Sequence, residues 1–329
     1  MRIGKVSENV LKRSVLRQLK TKRQEVLCGA GLGEDCAVFS FSDAENPVSC
    51  VREAAASDLE NMDWIEHLII KCTNNIAVSG GEPVSVSLAL MLPVEAEETY
   101  LKQLMNRAQD TCSRLGIAIS GGQTSVTEAV KLPVAVASGY GKVSKNVCHG
   151  VKAAATGQDV VISKWIGLEG TALLAKRYSE QLKERYPAYL VEEAAGFHRY
   201  LSLIPEAATA AKSGVCAMHD ASEGGIFGAL WELAEGAGVG LTIDLKKIPL
   251  RQETVEVCEQ CNVNPYELLS GGCLVMTTAD GPGLVAALEA QEIPAVIVGK
   301  VTTGKERILL NEDEVRYMDK PKQDMIYQQ

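Results

Sequence analysis

The sequence predicts an α/β protein of two domains built as α+β layers, on three observations. At 329 residues the chain exceeds what one hydrophobic core usually organises, so two domains are the default. Helical and strand-like patterns alternate from end to end. The stretch HGVKAAATGQDVVISKW, small and polar with a turn at Gly157-Gln158-Asp159, reads as a hinge, which sets a first domain at residues 1–150 and a second at 151–329.

In the first domain a basic amphipathic helix is expected after Ser7, with Val10, Leu11, Val15, Leu16 and Leu19 on one face. CAVFSF and VSCVREA read as strands. A helix from about Asn61 to Ser79 is stopped by Gly80-Gly81 and Pro83. VSVSLALML follows as a strand, AEETYLKQLMNRAQDTCSRLG as a helix closed by Gly116, and IAIS and KLPVAVASGYGKV as strands. In the second domain helices are expected around Gly170–Leu182 and Val191–Ser202. The apolar spacing of Ile226, Phe227, Leu230, Leu233, Ala234 and Ala237 marks a buried helix. GLTIDL, a helix near Thr254–Gln260, GGCLVMTT and the unit GLVAALEAQEIPAVIVGKV precede a polar tail.

A net charge of -9 argues against a nucleic-acid binder. No apolar run reaches the ~18 residues of a spanning helix, and no signal-peptide core follows Met1, so a cytoplasmic location off the membrane is expected. Ten cysteines read mainly as small buried hydrophobes. The C-x-x-C of Cys258 and Cys261 has no second pair and no nearby His, so zinc would lack ligands. The Cys148-His149 dipeptide is a weak signal for nucleophilic catalysis.

Four segments are richer in polar residues and glycine than a connection needs. GAGLGEDCAV places Gly33, Glu34 and Asp35 at the mouth of a strand, where glycine N–H groups suit an anion; a glycine-rich hairpin turn accounts for it better. In NNIAVSGGEP, Asn75 shares a helix face with Leu68, Cys72 and Ser79. Its amide needs a partner, either a structural hydrogen bond or a ligand. SGGQTS places Gly121, Gly122, Gln123 and Thr124 at an expected strand end, open to a ligand's backbone approach or to an ordinary loop. MHDASEGG puts His219, Asp220, Ser222, Glu223, Gly224 and Gly225 before a buried helix. Phosphate with Mg2+ suits that combination, and capping by Asp220 and Ser222 is its structural alternative.

In order along the chain, GEDCAV, NNIAVSGGEPVSVSLALMLP, SGGQTSV, TGQDVVISKWIGLEGTALLA and MHDASEGGIFGALWELAEGAGVG resemble the AIR synthase-related superfamily, which includes AIR synthase, thiamine-monophosphate kinase, selenophosphate synthetase and HypE. Within it the likeness is to bacterial HypE-like hydrogenase-maturation proteins. The resemblance implies an N-terminal α/β domain that binds ATP and Mg2+ and pairs in a homodimeric barrel, with a C-terminal α/β domain closing over the nucleotide. It implies phosphoryl transfer to a small acceptor or a role with a maturation partner protein. It assigns metal to Asp35 and Glu53. Gly33, Asn75, Gly121, Gly122, Gln123, Thr124, Gly224 and Gly225 fall to the nucleotide, and His219, Asp220 and Glu223 to orienting phosphate or acceptor.

Two departures accompany it. Relatives carry acids where this chain has Asn75 and Gln123 and an Asp where alignment places Glu53, so the metal site is weakened. The chain ends QDMIYQQ without the C-terminal Cys on which HypE self-modification depends. Three functions follow: an ATP-dependent HypE-like enzyme, a non-catalytic binding or scaffold relative, or a small-molecule kinase resembling thiamine-monophosphate kinase.

Overall fold

The computed structural model describes residues 8–10, 12, 26–28, 31–34, 37–39, 45–144, 150–320 and 323–328. They divide into two compact units. The first holds residues 26–28, 37–39 and 45–144; the second holds 150–320 and 323–328 with 8–10, 12 and 31–34.

The first unit is a sheet in the order β1 (Val26–Cys28), β2 (Ala37–Phe39), β3 (Glu45–Ala55), β6 (Val134–Ser144), β4 (Glu82–Leu92) and β5 (Ala118–Val126). Its pairs are antiparallel except β4 with β5. Helices α2 (Asp63–Val78) and α3 (Glu98–Leu115) cover one face. Ile65, Leu68, Ile69, Cys72 and Ile76 meet Leu88 and Leu90 of β4 and Ala135 and Ala137 of β6 in one core with Leu104 and Ala108. Buried Glu66 on α2 takes ion pairs from Arg107, at 2.7 Å, and from Arg114 of α3. As the sequence predicts, α3 ends at Gly116, whose φ of 70° makes a left-handed cap.

SGGQTS is a correction to the expected loop. Gly121 to Thr124 lie inside β5, an exposed edge strand. The strand needs glycine for the sheet itself, because a Cβ on Gly122 would fall 2.1 Å from the Leu88 carbonyl oxygen. The opposite sheet face carries mainly small and apolar side chains together with Glu53 and Gln123, and no helix among the described residues of this unit; Val51 is 61% and Tyr140 44% exposed.

The second unit has the order β13 (Glu314–Tyr317), β12 (Arg307–Asn311), β9 (Gly240–Asp244), β11 (Ala295–Thr302), β7 (Asp159–Ser163), β10 (Cys273–Thr278) and β8 (Val215–Ala221). Only β9 with β12 is parallel among these pairs. Helix α8 (Gly225–Ala237) buries Ile226, Leu230, Leu233 and Ala234 against the sheet, as its spacing predicts. A second cluster joins α4 (Leu168–Arg177), α5 (Ser179–Arg185), α6 (Ala188–Ala195) and α9 (Gln252–Cys261). The sequence reads α4 and α5 as one helix and leaves α7 (Ile204–Lys212) and the β12–β13 hairpin inside connections and tail. Burial pushes the Cys258 thiol up to about 12 and that of Cys261 upward as well, so the C-x-x-C is core packing.

Of the basic helix, α1 (Glu8–Val10) and Lys12 are described; Lys12 pairs with Glu235 at 2.9 Å, and Trp231 donates to Glu8 at 3.3 Å. The rest of that helix and Cys148-His149 lie outside the described residues. Among the described residues no helix is long and apolar enough to cross a membrane.

Substituting Gly122→Ala is expected to cost the first unit about 2 kcal/mol or more, since the clash is with backbone. Chemical unfolding checks it, and a neutral variant contradicts the structural role given to this glycine.

Candidate functional site

Strand alternation decides what the first unit can assemble. On β3, Val48 and Cys50 are buried on the helix-covered side, and Arg52 follows them on that side with period two. Its guanidinium Nη2 donates to the Asn75 Oδ1 of α2 at 2.9 Å. Asn75 is 4% exposed. The buried amide therefore has a structural partner, one of the two readings its position left open.

Glu53 points the other way. It pairs with Val136, Val136 with Ala89, and Ala89 with Gln123, so Glu53 and Gln123 share one cross-strand row on the bare sheet face. Three strand spacings separate them by about 14 Å. The positions expected to hold a cation are thus split between two faces, and the helix-facing place beside Asn75 belongs to Arg52. Asp35 lies outside the described residues.

This arrangement does not fit a divalent ion at Asn75. The oxygen that would ligate it is taken by a guanidinium, which stays cationic at any accessible pH. Unit charges of like sign 4 Å apart repel by about 4 kcal/mol in a partly buried setting, and a divalent ion doubles that. Among the described residues no cluster of three His, Cys, Asp or Glu has a metal-holding geometry.

In the second unit the sequence MHDASEGG separates into unlike roles. His219 and Asp220 are consecutive on β8 and point to opposite faces of the sheet. His219 is buried and its Nε2 lies 3.2 Å from the Glu232 carboxylate of α8. The turn of residues 31–34 packs near the same helix: a Cβ on Gly33, whose φ is 72°, would stand 3.0 Å from the Glu232 carbonyl oxygen. Gly225 is equally constrained, since a Cβ there would meet the Tyr266 backbone carbonyl oxygen at 2.5 Å.

The α8 N-terminus does bind an anion, and the anion is the chain's own. Gly224 N–H donates to Asp324 Oδ2 at 2.6 Å, while Leu269 N–H and Ile326 N–H donate to Oδ1 at 3.2 and 2.9 Å. The N-cap residue Gly224 has no side chain, and its N–H is taken by a carboxylate 100 residues downstream. Burial lifts the Asp324 carboxyl to about 6 against the pull of those three N–H groups, and the Glu223 charge adds to the rise. Glu223 hydrogen-bonds the Tyr327 hydroxyl; burial and then that charge raise the tyrosine. Sequence reasoning missed Asp324 and Arg52. For Arg52 the signal was present in the alternation of VSCVREA; for Asp324 only an acid in a short polar tail was visible.

Two layered α+β units, each with a mixed sheet and a glycine-started helix in the second, define the class to which this architecture belongs. Residues 33–143 match the N-terminal domain of AIR synthase related protein and residues 155–310 its C-terminal domain. The chain belongs to the AIR synthase-related family. Carbamoyl dehydratase HypE of Rhodobacter capsulatus is 28% identical over 293 residues, covering 87% of this chain and 82% of the relative. A hydrogenase expression/formation protein of Methanocaldococcus jannaschii is 24% identical over 274 residues, 83% of this chain and 79% of that one. Among solved structures, a HypE–HypF complex superposes with a TM-score of 0.77 at 18% identity, over 94% of this chain and 99% of the other. HypE in complex with ATP gives 0.74 at 15% identity, over 98% and 97%. At these identities the structures speak for the fold.

The raised Asp324 carboxyl fixes a sign for pH dependence. Between 3.8, its ordinary value, and about 6, the folded protein keeps a proton that the unfolded chain releases, so this group's contribution to stability falls as pH rises through that window. Asp324→Asn is expected to flatten that part of the stability–pH curve of the second unit. Thermal unfolding at stepped pH checks it; an unchanged slope contradicts the assignment.

Proposed function

We propose that this chain is a HypE-like nucleotide-binding protein that uses ATP to activate a small acceptor, working with a maturation partner protein in the cytoplasm as a homodimer. The observation that carries the reading is the match of both family domains, in order, over residues 33–143 and 155–310. The ATP-complexed and HypF-complexed structures of HypE share the fold over nearly the full chain, which supports ATP as the nucleotide and a protein as partner.

Within the first unit Thr124 is open to solvent on β5, where its hydroxyl is available to polar ligand atoms. The bare sheet face supports the homodimer. Across it run Val51, Ser138, Ser87 and Gly121 in one row and Ala55, Val134, Met91 and Ser125 in another, with Glu53, Val136, Ala89 and Gln123 between them. The small and apolar side chains in these rows suit packing against a second sheet, and the outer edge of β5, which pairs with no further strand among the described residues, is suited to continue it.

No catalytic step is assigned to Mg2+, because the described residues do not gather its ligands. That same mismatch favours the second reading, a relative that binds nucleotide or partner without turning ATP over. Calorimetric titration with ATP, with and without Mg2+, tests both. Heat with release of the γ-phosphate to an acceptor supports the enzyme, heat without turnover supports the binding protein, and no heat at millimolar ATP removes the nucleotide reading.

The dimer has its own check. Light scattering is expected to give twice the chain mass, and Val136→Glu, a second carboxylate directly across from Glu53 in the middle of the bare face, is expected to halve it. A wild-type monomer, or a variant that stays dimeric, contradicts the proposed interface.

A further inference from the structure

We propose that the Arg52 guanidinium holds permanently the place of the divalent cation in the first unit, so that anion binding there runs without a metal ion. The register of β3 carries this. Eleven consecutive residues pair with β6, and within that register Arg52, not Glu53, falls on the face covered by α2. The guanidinium reaches Asn75 Oδ1 at 2.9 Å, close enough to buried Cys72 for its charge to be felt there. It is partly buried, so its charge is screened less than that of a surface side chain.

Among the described residues, the other two expected positions do not compensate. Glu53 and Gln123 share a row on the opposite face, about 14 Å apart by strand spacing, and neither can reach an ion beside Asn75 through the sheet. A fixed guanidinium offers one positive charge and planar donors to an anionic ligand, with no metal to load or lose. The ligand class is a phosphate-bearing anion whose affinity does not depend on Mg2+ or on chelators.

This deepens the nucleotide reading but is tested with the metal alone, so the two can fail separately. Mn2+ binding to the full chain is measured by loss of the free-ion paramagnetic resonance signal, for wild type, Arg52→Gln and Arg52→Asp. Wild type is expected to bind no Mn2+ in the micromolar range. Arg52→Asp places an acid beside Asn75 and is expected to tighten Mn2+ binding at least tenfold. Arg52→Gln removes the charge and keeps a donor for Asn75; it is expected to fall between the two, and it decides the matter if Arg52→Asp does not fold.

Micromolar Mn2+ binding by wild type overturns the proposal, as does the absence of any gain in a folded variant. A wild-type ATP affinity that changes less than twofold between EDTA and excess Mg2+ supports it, and a change of tenfold or more overturns it. If wild type binds no ATP under either condition, the nucleotide reading falls, and the Mn2+ measurements still decide the role of Arg52.

Discussion

The register between β3 and β6 is the constraint on which the first unit's chemistry depends. Two adjacent charged residues, Arg52 and Glu53, compete for the helix-covered face, and eleven paired residues leave no freedom to exchange them. A slip of one residue would bring Glu53 to Asn75 and would also turn Val48 and Cys50 out of the core. Hydrophobic burial therefore fixes which charge meets the buried amide. The bond from Arg52 to Asn75 is a consequence of core packing before it is a feature of any site.

Much of the fold was legible in the sequence where periodicity was long and ends were punctuated. α2 and α3 sit within two residues of the expected helices because glycines stop both. α8 was visible from the spacing of Ile226, Leu230, Leu233 and Ala234. What escaped was short or ambiguous. SGGQTS looked like a loop because two glycines interrupt an apolar run, yet Gly122 is needed by close approach to the Leu88 backbone. The β12–β13 hairpin consists of two short strands inside a polar tail, joined at Glu312 with a φ of 55°, and offered no apolar alternation long enough to read.

The candidate site was less legible for a different reason. Sequence placed polar residues near glycines and helix ends but could not say which partner each would find. The family resemblance gives His219 and Asp220 one shared role, whereas adjacent positions on β8 point apart. The α8 N-terminus was read as open to phosphate, whereas Asp324 fills it from 100 residues away. A desolvated carboxylate held by three N–H groups is costly to bury and well satisfied once buried, so this tail contact belongs to the second unit's structure as much as its core does. What the structure shows at Gly224 is its N–H donating to the chain's own carboxylate.

A family fold retained while its cation corner is filled by a guanidinium is the central claim. The most direct measurement is a crystal structure of the protein with a non-hydrolysable ATP analogue, grown with Mn2+ and phased at the manganese edge. The account predicts Arg52 Nη2 still bonded to Asn75 Oδ1 and no anomalous peak beside that oxygen. A manganese peak at about 2.2 Å from Asn75 Oδ1, with Arg52 swung away, would contradict it.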